Sequence, residues 1–482
     1  MISKQFFKSS LIYSVVGALP YASGVILIPF FANHLTISQF GQNALYMTFM
    51  YLVQVFSTFG LDTYIGINSF DHKDSREKMG KFIGSVLLAL TVMGMIVAAL
   101  MMSSGSIIFK VVYKESSSMT FFPYGALTVI SAIFNGIFKS YSSLLINQQR
   151  PVRFFWLNVS NFVLVIGISL TLLYLFPHTL YGPILGRLFP AVISCGLSIL
   201  LIFLEYGFHF RKDLFRGMAS FCFPMVVYAF MIWVVNYIDR NIIAHYMDDT
   251  SVGIFDIAVK ISMFIDFVQA GLGNTIQPKV YTIWKDKNLK ESTPEVNRYY
   301  NGFIAITVLC IPVLVVSIPL LVPFLIKDPK YYQAFAFLPV LCLGYASRGW
   351  FYMFLAPVFF FKKTKILPVI FSFAALFQIV SSILLIRSFG LSGAVYSSFL
   401  VKAFQALLLF LASKRFFHYS FNKWKIFFMP AVFMILVLIS DFFVTDATRM
   451  LLGLGQMALS IFLVWITYRA ELIPMFRKIF AR

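Results

Sequence analysis

Five basic residues lie inside long apolar segments of this sequence, where charged side chains are uncommon. They are Lys139, Arg187, Lys260, Arg348 and Lys402. A charge at the centre of a bilayer costs about 2.5–3.5 kcal/mol, so such residues line a water-filled cavity or pair with other charges. Guanidinium forks and lysine ammonium groups bind anions, above all phosphate groups. The five residues therefore predict a cationic site for an anion.

Polar residues recur in steps of four around two of the predicted helices, which places them on one helix face. The two sets are Ser131, Asn135, Lys139 and Ser143, and Gln54, Thr58 and Asp62. These patterns predict hydrated faces beside the basic residues.

Acidic residues are fewer in the apolar segments, and two interpretations of them stay open. Asp256 and Lys260 are four positions apart, a spacing that allows an ion pair on one helix face. Such a pair either neutralises itself or couples a proton- or sodium-sensitive carboxylate to a cation that binds substrate. The neighbours Asp239 and Arg240 either anchor a helix end at the membrane interface or join the same site. Because cations are in excess, the cavity is predicted to be net positive, which favours an anionic guest over a cationic drug.

The segments that carry these residues are predicted to be transmembrane helices. Of 482 residues, 60% are hydrophobic and 12% are charged, with a mean hydropathy of +0.84, whereas soluble domains have about 25% charged residues. Runs of about 20 apolar residues must be helical in lipid, because every backbone N–H and C=O needs an internal partner. Fourteen runs are predicted: 11–33, 42–66, 82–105, 119–146, 153–176, 183–206, 217–238, 250–272, 301–326, 333–361, 364–388, 391–412, 425–444 and 448–468.

The same features disfavour other classes of protein. The net charge of +20 comes from Lys and Arg in short loops, and no clustered basic stripe indicates nucleic-acid binding. Because the basic residues concentrate in alternate loops, both termini are predicted to be cytoplasmic. The four cysteines have neither metal-ligand spacing nor a C-x-x-C motif, so no metal, cofactor or disulfide is predicted. No loop is long enough for a soluble catalytic domain, and an enzyme is not expected.

An internal repeat is indicated by short matches at a shared offset. Phe40-Gly41 matches Val252-Gly253, and Asp62-Thr63 matches Asn274-Thr275, both at an offset of 212, while Leu180-x-Gly182 matches Leu391-x-Gly393 at 211. The repeat predicts two parallel six-helix bundles, residues 1–210 and 211–412, followed by two additional helices in 413–482. Parallel repeats are a transporter design with the binding site between the halves.

Two groups of motifs resemble the O-antigen and polysaccharide flippases of the multidrug/oligosaccharidyl-lipid/polysaccharide exporter superfamily. The first group is Ile28-Pro29-Phe30, Leu35-Thr36-Ile37-Ser38-Gln39-Phe40-Gly41 and Phe59-Gly60-Leu61-Asp62. The second group is Phe223-Pro224, Trp233, Asn236, Asp239-Arg240, Val252-Gly253-Ile254-Phe255 and Val259-Lys260. The pair Phe255-Asp256 departs from the family pattern, in which Tyr and a small residue are more frequent.

The resemblance implies a bacterial inner-membrane flippase with the multidrug-extruder-like fold. Such a protein moves an undecaprenyl-pyrophosphate-linked O-antigen or similar oligosaccharide repeat unit from the cytoplasmic to the outer leaflet by alternating access. Coupling to H⁺ or Na⁺ is implied, as are membrane lipid, a polysaccharide polymerase and a chain-length protein as partners. The substrate-binding candidates are Lys139, Arg187, Arg240, Lys260, Arg348 and Lys402, and the ion-coupling candidates are Asp62, Asp239 and Asp256.

Alternatives remain open at this point. A cation-coupled multidrug antiporter of the same fold would need a more acidic cavity. A membrane polymerase or glycosyltransferase that acts on the lipid-linked sugar would need a large outer loop with catalytic residues. A membrane scaffold without transport activity would leave the five interior cations unexplained.

Overall fold

The computed structural model describes residues 12–480 apart from 14, 18, 73–74, 114–117, 208, 288, 419 and 444–448. Within these ranges the chain is helical apart from short turns, and the predicted helix boundaries at Leu11, Val444 and Thr448 lie outside them. The helices are α1 Leu19–Ile26, α2 Ile28–His34, α3 Ile37–Thr58, α4 Leu61–Asn68, α5 Arg76–Val112, α6 Ala126–Asn147, α7 Pro151–Leu175, α8 Tyr181–Tyr206, α9 Leu214–Tyr246, α10 Asp249–Asp286, α11 Leu289–Leu325, α12 Leu338–Phe360, α13 Ile366–Ser413, α14 Met429–Phe443 and α15 Arg449–Phe480.

The helices confirm an all-α polytopic membrane protein. Among the described residues, eight helices are long and apolar enough to cross a membrane, or nine if α3 and α4 form one bent span. Two predicted spans, 364–388 and 391–412, lie in the 48-residue helix α13 and are separated at Gly390, whose backbone leaves the helical region with φ 58° and ψ −134°. The helix count is consistent with about fourteen spans.

The second predicted span, 42–66, is broken in the structure. Helix α3 ends at Thr58, Phe59 and Gly60 adopt left-handed φ values of 48° and 72°, and α4 continues after a bend of 49°. The prediction that Thr58 and Asp62 share one continuous helix face is therefore wrong. Asp62 instead lies in the first turn of α4, where the positive end of the helix dipole favours a carboxylate.

The start of α3 is fixed by a reciprocal cap within the first motif group. Thr36 Oγ1 accepts a hydrogen bond from the Gln39 backbone N at 3.2 Å, and Gln39 Oε1 accepts one from the Thr36 backbone N at 3.0 Å. This capping box satisfies two backbone donors at the helix start. The segment that resembles a flippase motif thus has a local structural role.

The repeat register recurs in the structure at the starts of helices. Helices α3 and α10 begin at Ile37 and Asp249, which differ by the same 212 positions as Gly41 and Gly253. These two glycines meet, because a Cβ added to Gly41 would lie 1.8 Å from Asp249 O and 2.9 Å from Gly253 N. Only residues without a side chain permit this approach.

A second glycine pair repeats a contact with the preceding helical segment. A Cβ added to Gly182 would lie 2.9 Å from Leu173 Cα, and one added to Gly393 would lie 2.0 Å from the carbonyl oxygen of Leu385. The contacted leucines are 212 positions apart and the glycines 211. The same helix pair is therefore built twice in the chain.

The chain packs into two compact units, Met1–Asp256 and Ile257–Arg482, and the division falls within α10. In the first unit, α9 packs against α3, α4 and α5, and a buried apolar cluster joins α4, α5, α6, α7, α8 and α9. In the second unit, α12 packs against α13, and α11 packs against α15. The predicted domain boundaries at 210 and 412 remain predictions.

Candidate functional site

Arg240 is the most buried of the predicted basic site residues and lies near the end of α9. Its side chain is 5% exposed, Nε donates to Asp256 Oδ1 at 2.9 Å, and Nη1 donates to Asp239 Oδ1 at 3.0 Å. Nη1 also donates to the carbonyl oxygen of Asn236 at 3.1 Å. One guanidinium is thus shared by two buried carboxylates, an arrangement in which ion pairing and hydrogen bonds offset the cost of desolvation.

Neighbouring hydrogen bonds hold the junction of α9 and α10 against α3 within the first unit. Gln42 Nε2 donates to Asp249 Oδ2 at 3.0 Å, one residue after the Gly41 contact. Trp233 Nε1 donates to the carbonyl oxygen of Thr48 at 3.0 Å. The two helices that carry the Arg240 cluster, α9 and α10, are therefore both held to α3 by polar contacts.

The polar faces predicted on the second and fourth spans meet each other. Asn135 Nδ2 on α6 donates to Gln54 Oε1 on α3 at 3.1 Å, and Lys139 Nζ lies 3.3 Å from Asp62 Oδ2. The Lys139 side chain is 60% exposed and Asp62 is 18% exposed. These two candidates form a partly exposed ion pair, a kind of contact that contributes about 0–1 kcal/mol to stability.

Arg348 and Asp266 form a second mixed site in the second unit. Arg348 Nη1 on α12 donates to Asp266 Oδ2 on α10 at 3.0 Å, and the Tyr352 hydroxyl donates to Asp266 Oδ1 at 3.3 Å. Both charged side chains are about one fifth exposed, at 23% and 20%. Asp266 thus joins the candidate site, although it was not among the candidates predicted from the sequence.

Lys402 lies on α13, where a serine and a tyrosine contact its ammonium group. Its Nζ donates to Ser398 Oγ at 2.5 Å and to the carbonyl oxygen of Ser398 at 3.3 Å. The ammonium also lies 4.6 Å from the centre of the Tyr345 ring, in cation–π contact. Tyr345 is one turn before Arg348 on α12, so both basic residues lie beside this tyrosine.

Arg187 and Lys260 are half-buried on α8 and α10. In the part of the chain that the structure describes, Arg187 makes neither a hydrogen bond nor an ion pair. Seven of the nine candidate residues fall into three groups, which are the buried group of Asp239, Arg240 and Asp256, the partly exposed pair Lys139 and Asp62, and Arg348 and Lys402 beside Tyr345.

A further polar cluster in the second unit was missed by sequence reasoning. Glu471 on α15 accepts hydrogen bonds from Lys425 Nζ at 2.8 Å and from Asn301 Nδ2 at 3.0 Å. The Tyr468 hydroxyl donates to the carbonyl oxygen of Lys425. The available signal in the sequence was Glu471 itself, a single acid shortly after the last apolar run. Its contacts join the two additional helices to α11.

The carboxylates of these sites do not gather into a metal centre. Within the described ranges, no group of three or more His, Cys, Asp or Glu side chains has the geometry to hold a metal ion. The carboxylates that the site contains are instead directed at basic side chains of the protein.

Comparison with known proteins indicates both a family and a fold for this chain. The profile of a family described as "Polysaccharide biosynthesis protein" matches residues 6–278. A lipid II flippase, MurJ, in an inward closed conformation is similar at 16% identity and a TM-score of 0.71, covering 97% of this chain and 98% of its own. An inward-facing multidrug resistance transporter of the MATE family is similar at 12% identity and a TM-score of 0.61, covering 81% and 94%.

A MATE transporter of Vibrio cholerae, solved as a mutant, has 12% identity and a TM-score of 0.56, covering 86% of this chain and 96% of its own. No curated protein is a significant match to the sequence. At these identities the solved structures establish the fold, which this chain shares with a flippase and with transporters over most of its length.

Proposed function

This chain belongs to the polysaccharide biosynthesis protein family, and from that premise we propose that it is a flippase for lipid-linked oligosaccharides. Its substrate is an O-antigen or similar repeat unit on undecaprenyl pyrophosphate, which it moves from the cytoplasmic to the outer leaflet of a bacterial inner membrane. The observation that carries the proposal is the family match over residues 6–278 in a chain that shares its fold with a lipid II flippase across 97% of its length.

The basic residues on membrane helices support an anionic substrate. Lys402 contacts Tyr345, which lies one helical turn before Arg348 in the second unit, and Arg187 is half-buried on α8. A diphosphate accepts charge-assisted hydrogen bonds from guanidinium and ammonium groups. In this proposal Lys260, Arg348 and Lys402 bind the diphosphate or an acidic sugar, and Lys139 and Arg187 extend the positive path toward the two membrane faces.

Arg240 has a different place in the proposal. Because two buried carboxylates already hold its guanidinium, it binds substrate only if those contacts loosen. Asp239 and Asp256 are the carboxylates that respond to a coupling ion, either H⁺ or Na⁺, with Asp62 as a second candidate beside Lys139. Protonation of either acid would weaken its hold on Arg240, which links the ion to a change of conformation during alternating access.

The cellular setting follows from the same proposal. Both termini are cytoplasmic, and the flipped repeat unit is handed to a polysaccharide polymerase and a chain-length protein at the outer face. The rival function is a cation-coupled multidrug antiporter, since the fold is also that of MATE transporters.

The test replaces Arg187, Lys260, Arg348 and Lys402 one at a time with glutamine in a strain that lacks its own copy of the protein. Loss of one charge-assisted contact to phosphate costs about 1.5–3 kcal/mol, so surface polysaccharide synthesis is expected to fall about tenfold or more. Lys363→Gln is the matched control, because Lys363 is an exposed loop cation and its replacement should leave the polysaccharide unchanged.

Membrane abundance of each variant is measured in parallel, so that loss of protein is not mistaken for loss of flipping. The proposal is contradicted if all four variants, at normal abundance, make normal surface polysaccharide. It is also contradicted if the strain without the protein keeps its polysaccharide but becomes sensitive to cationic drugs.

A further inference from the structure

One acid organises three arginines where three helices of the first unit end. Glu205 lies in the last turn of α8, and its two carboxylate oxygens accept hydrogen bonds from Nη1 of Arg150 and from Nη1 of Arg153. Arg76 Nε donates to the Glu205 carbonyl oxygen at 2.6 Å. Three guanidinium groups therefore converge on a single residue.

The arginine cluster, defined as Arg76, Arg150 and Arg153 around Glu205, keeps excess positive charge. Two guanidiniums share the one carboxylate and the third contacts the backbone carbonyl of the same residue. Each guanidinium carries five N–H donors, of which the described contacts use one. In the described part of the chain, Arg150 and Arg153 have no acidic partner other than Glu205. The remaining donors are pre-positioned for an anion with several acceptor oxygens, such as a phosphate.

The positions of the three arginines on their helices put the cluster at a membrane interface. Arg76 is the first residue of α5, Arg150 immediately precedes α7, and Arg153 is in the first turn of α7. These helix ends belong to loops rich in Lys and Arg, which the topology rule assigns to the cytoplasmic side.

The surroundings of Arg153 are those of a lipid-facing helix. Trp156 is one turn further along α7 on the same face and is 63% exposed, and Val152 is 65% exposed. Only 22% of the apolar stretch of α7 is buried within the protein. Exposed tryptophan beside arginine is typical of the boundary between headgroups and acyl chains.

We propose that the arginine cluster is a binding site for the phosphate of an anionic phospholipid in the cytoplasmic leaflet. The exposed Trp156 and Val152 would contact the acyl chains of the same lipid, a contact that a free phosphate ion does not need. The site is on the outward, lipid-facing helix α7, so the proposal concerns resident lipid and does not depend on the flippase function.

The experiment measures lipid binding to the purified full-length protein by native mass spectrometry, with phosphatidylglycerol as the probe and phosphatidylcholine as the uncharged comparison. An interfacial arginine contributes about a fivefold preference for an anionic lipid. Arg153→Gln is therefore expected to lower phosphatidylglycerol binding about fivefold, and Arg150→Gln combined with Arg153→Gln is expected to lower it further. Lys363→Gln, which removes an exposed cation elsewhere, should leave it unchanged.

Arg153 is 52% exposed, and its replacement leaves the Arg150–Glu205 pair in place. The single variant Arg153→Gln therefore tests the site while this ion pair continues to support the fold. The proposal is overturned if Arg153→Gln and the double variant bind phosphatidylglycerol as wild type does, or if Lys363→Gln loses as much. It is also overturned if inorganic phosphate competes with phosphatidylglycerol as effectively as a second phospholipid does, because the site would then bind free anions.

Discussion

The contact between Gly41 and Gly253 offers the sharpest test of the structure, through Gly41→Ala. A Cβ at position 41 would lie 1.8 Å from Asp249 O, whereas real Cβ contacts under 3.0 Å essentially never occur. The start of α10 would therefore have to move by at least 1.2 Å, the difference between these two distances. Such a shift also strains the hydrogen bond from Gln42 to Asp249.

The expected loss of stability can be worked from these contacts. Overpacking in a well-packed interior costs about 1–3 kcal/mol, and a weakened hydrogen bond to a carboxylate adds up to about 1.5–3 kcal/mol. A loss of about 1–6 kcal/mol, the range that these two contributions span together, should lower the apparent melting temperature by about 2 °C or more, since each kcal/mol shifts a unit of this size by about 2–4 °C. Gly253→Ala should have a similar effect, because its Cβ would lie 2.5 Å from Ile37 O.

The assay is thermal unfolding of the purified protein in detergent, followed by intrinsic fluorescence. Gly167→Ala on α7 is the matched control, since a Cβ there meets nothing within 4 Å. That change should be neutral or raise stability by about 0.5–1 kcal/mol, the usual effect of alanine for glycine in a helix. The double variant of both contact glycines should cost less than the sum of the single variants, because they share one contact. Equal melting of Gly41→Ala and Gly167→Ala would refute the close approach of α3 and α10.

Three further changes should separate buried contacts from exposed ones. Arg240→Gln leaves Asp239 and Asp256 buried without their shared guanidinium. The expected loss of stability is about 3–5 kcal/mol, so the variant should be far less abundant in the membrane. Wild-type abundance would argue against the buried cluster. Gly390→Ala forces a side chain into a backbone conformation that essentially only glycine adopts. Thermal unfolding should show a loss of stability of about 1–3 kcal/mol, with Gly167→Ala again as the control. Glu471→Gln should weaken the attachment of the last helix, because Lys425 then loses its charged partner. The expected result is faster proteolysis of the C-terminal segment. Unchanged proteolysis would count against a role of Glu471 in holding this helix.

The sequence predicts the helices well, because length and hydropathy are local properties. The spans that contain Lys139, Arg187 and Lys402 appear as helices at the expected places. The break at Phe59 and Gly60 was not predicted, since an apolar run gives no sign of a left-handed turn within it. Glycine at position 60 was the available signal, and it is also compatible with an unbroken membrane helix.

The site was harder to predict, because ion pairing is decided between helices. Spacing along one helix pointed to Lys260 as a partner for Asp256, but it gave no sign of Arg240, sixteen positions earlier on another helix, which donates a hydrogen bond to Asp256. Asp266 likewise forms its ion pair with Arg348, 82 positions further along the chain. Periodicity identifies which residues share a face, but it does not show which faces meet.

The Arg240 cluster has a consequence for how the protein enters the membrane during synthesis. Asp239 and Arg240 emerge from the ribosome seventeen and sixteen residues before Asp256, and each charge alone opposes transfer into lipid by about 2.5–3.5 kcal/mol. Release of α9 into lipid before α10 has been made would leave the guanidinium without one of its two acids. The insertion machinery should therefore retain α9 until α10 follows, so that the two helices leave it together as a hairpin with its charges already paired.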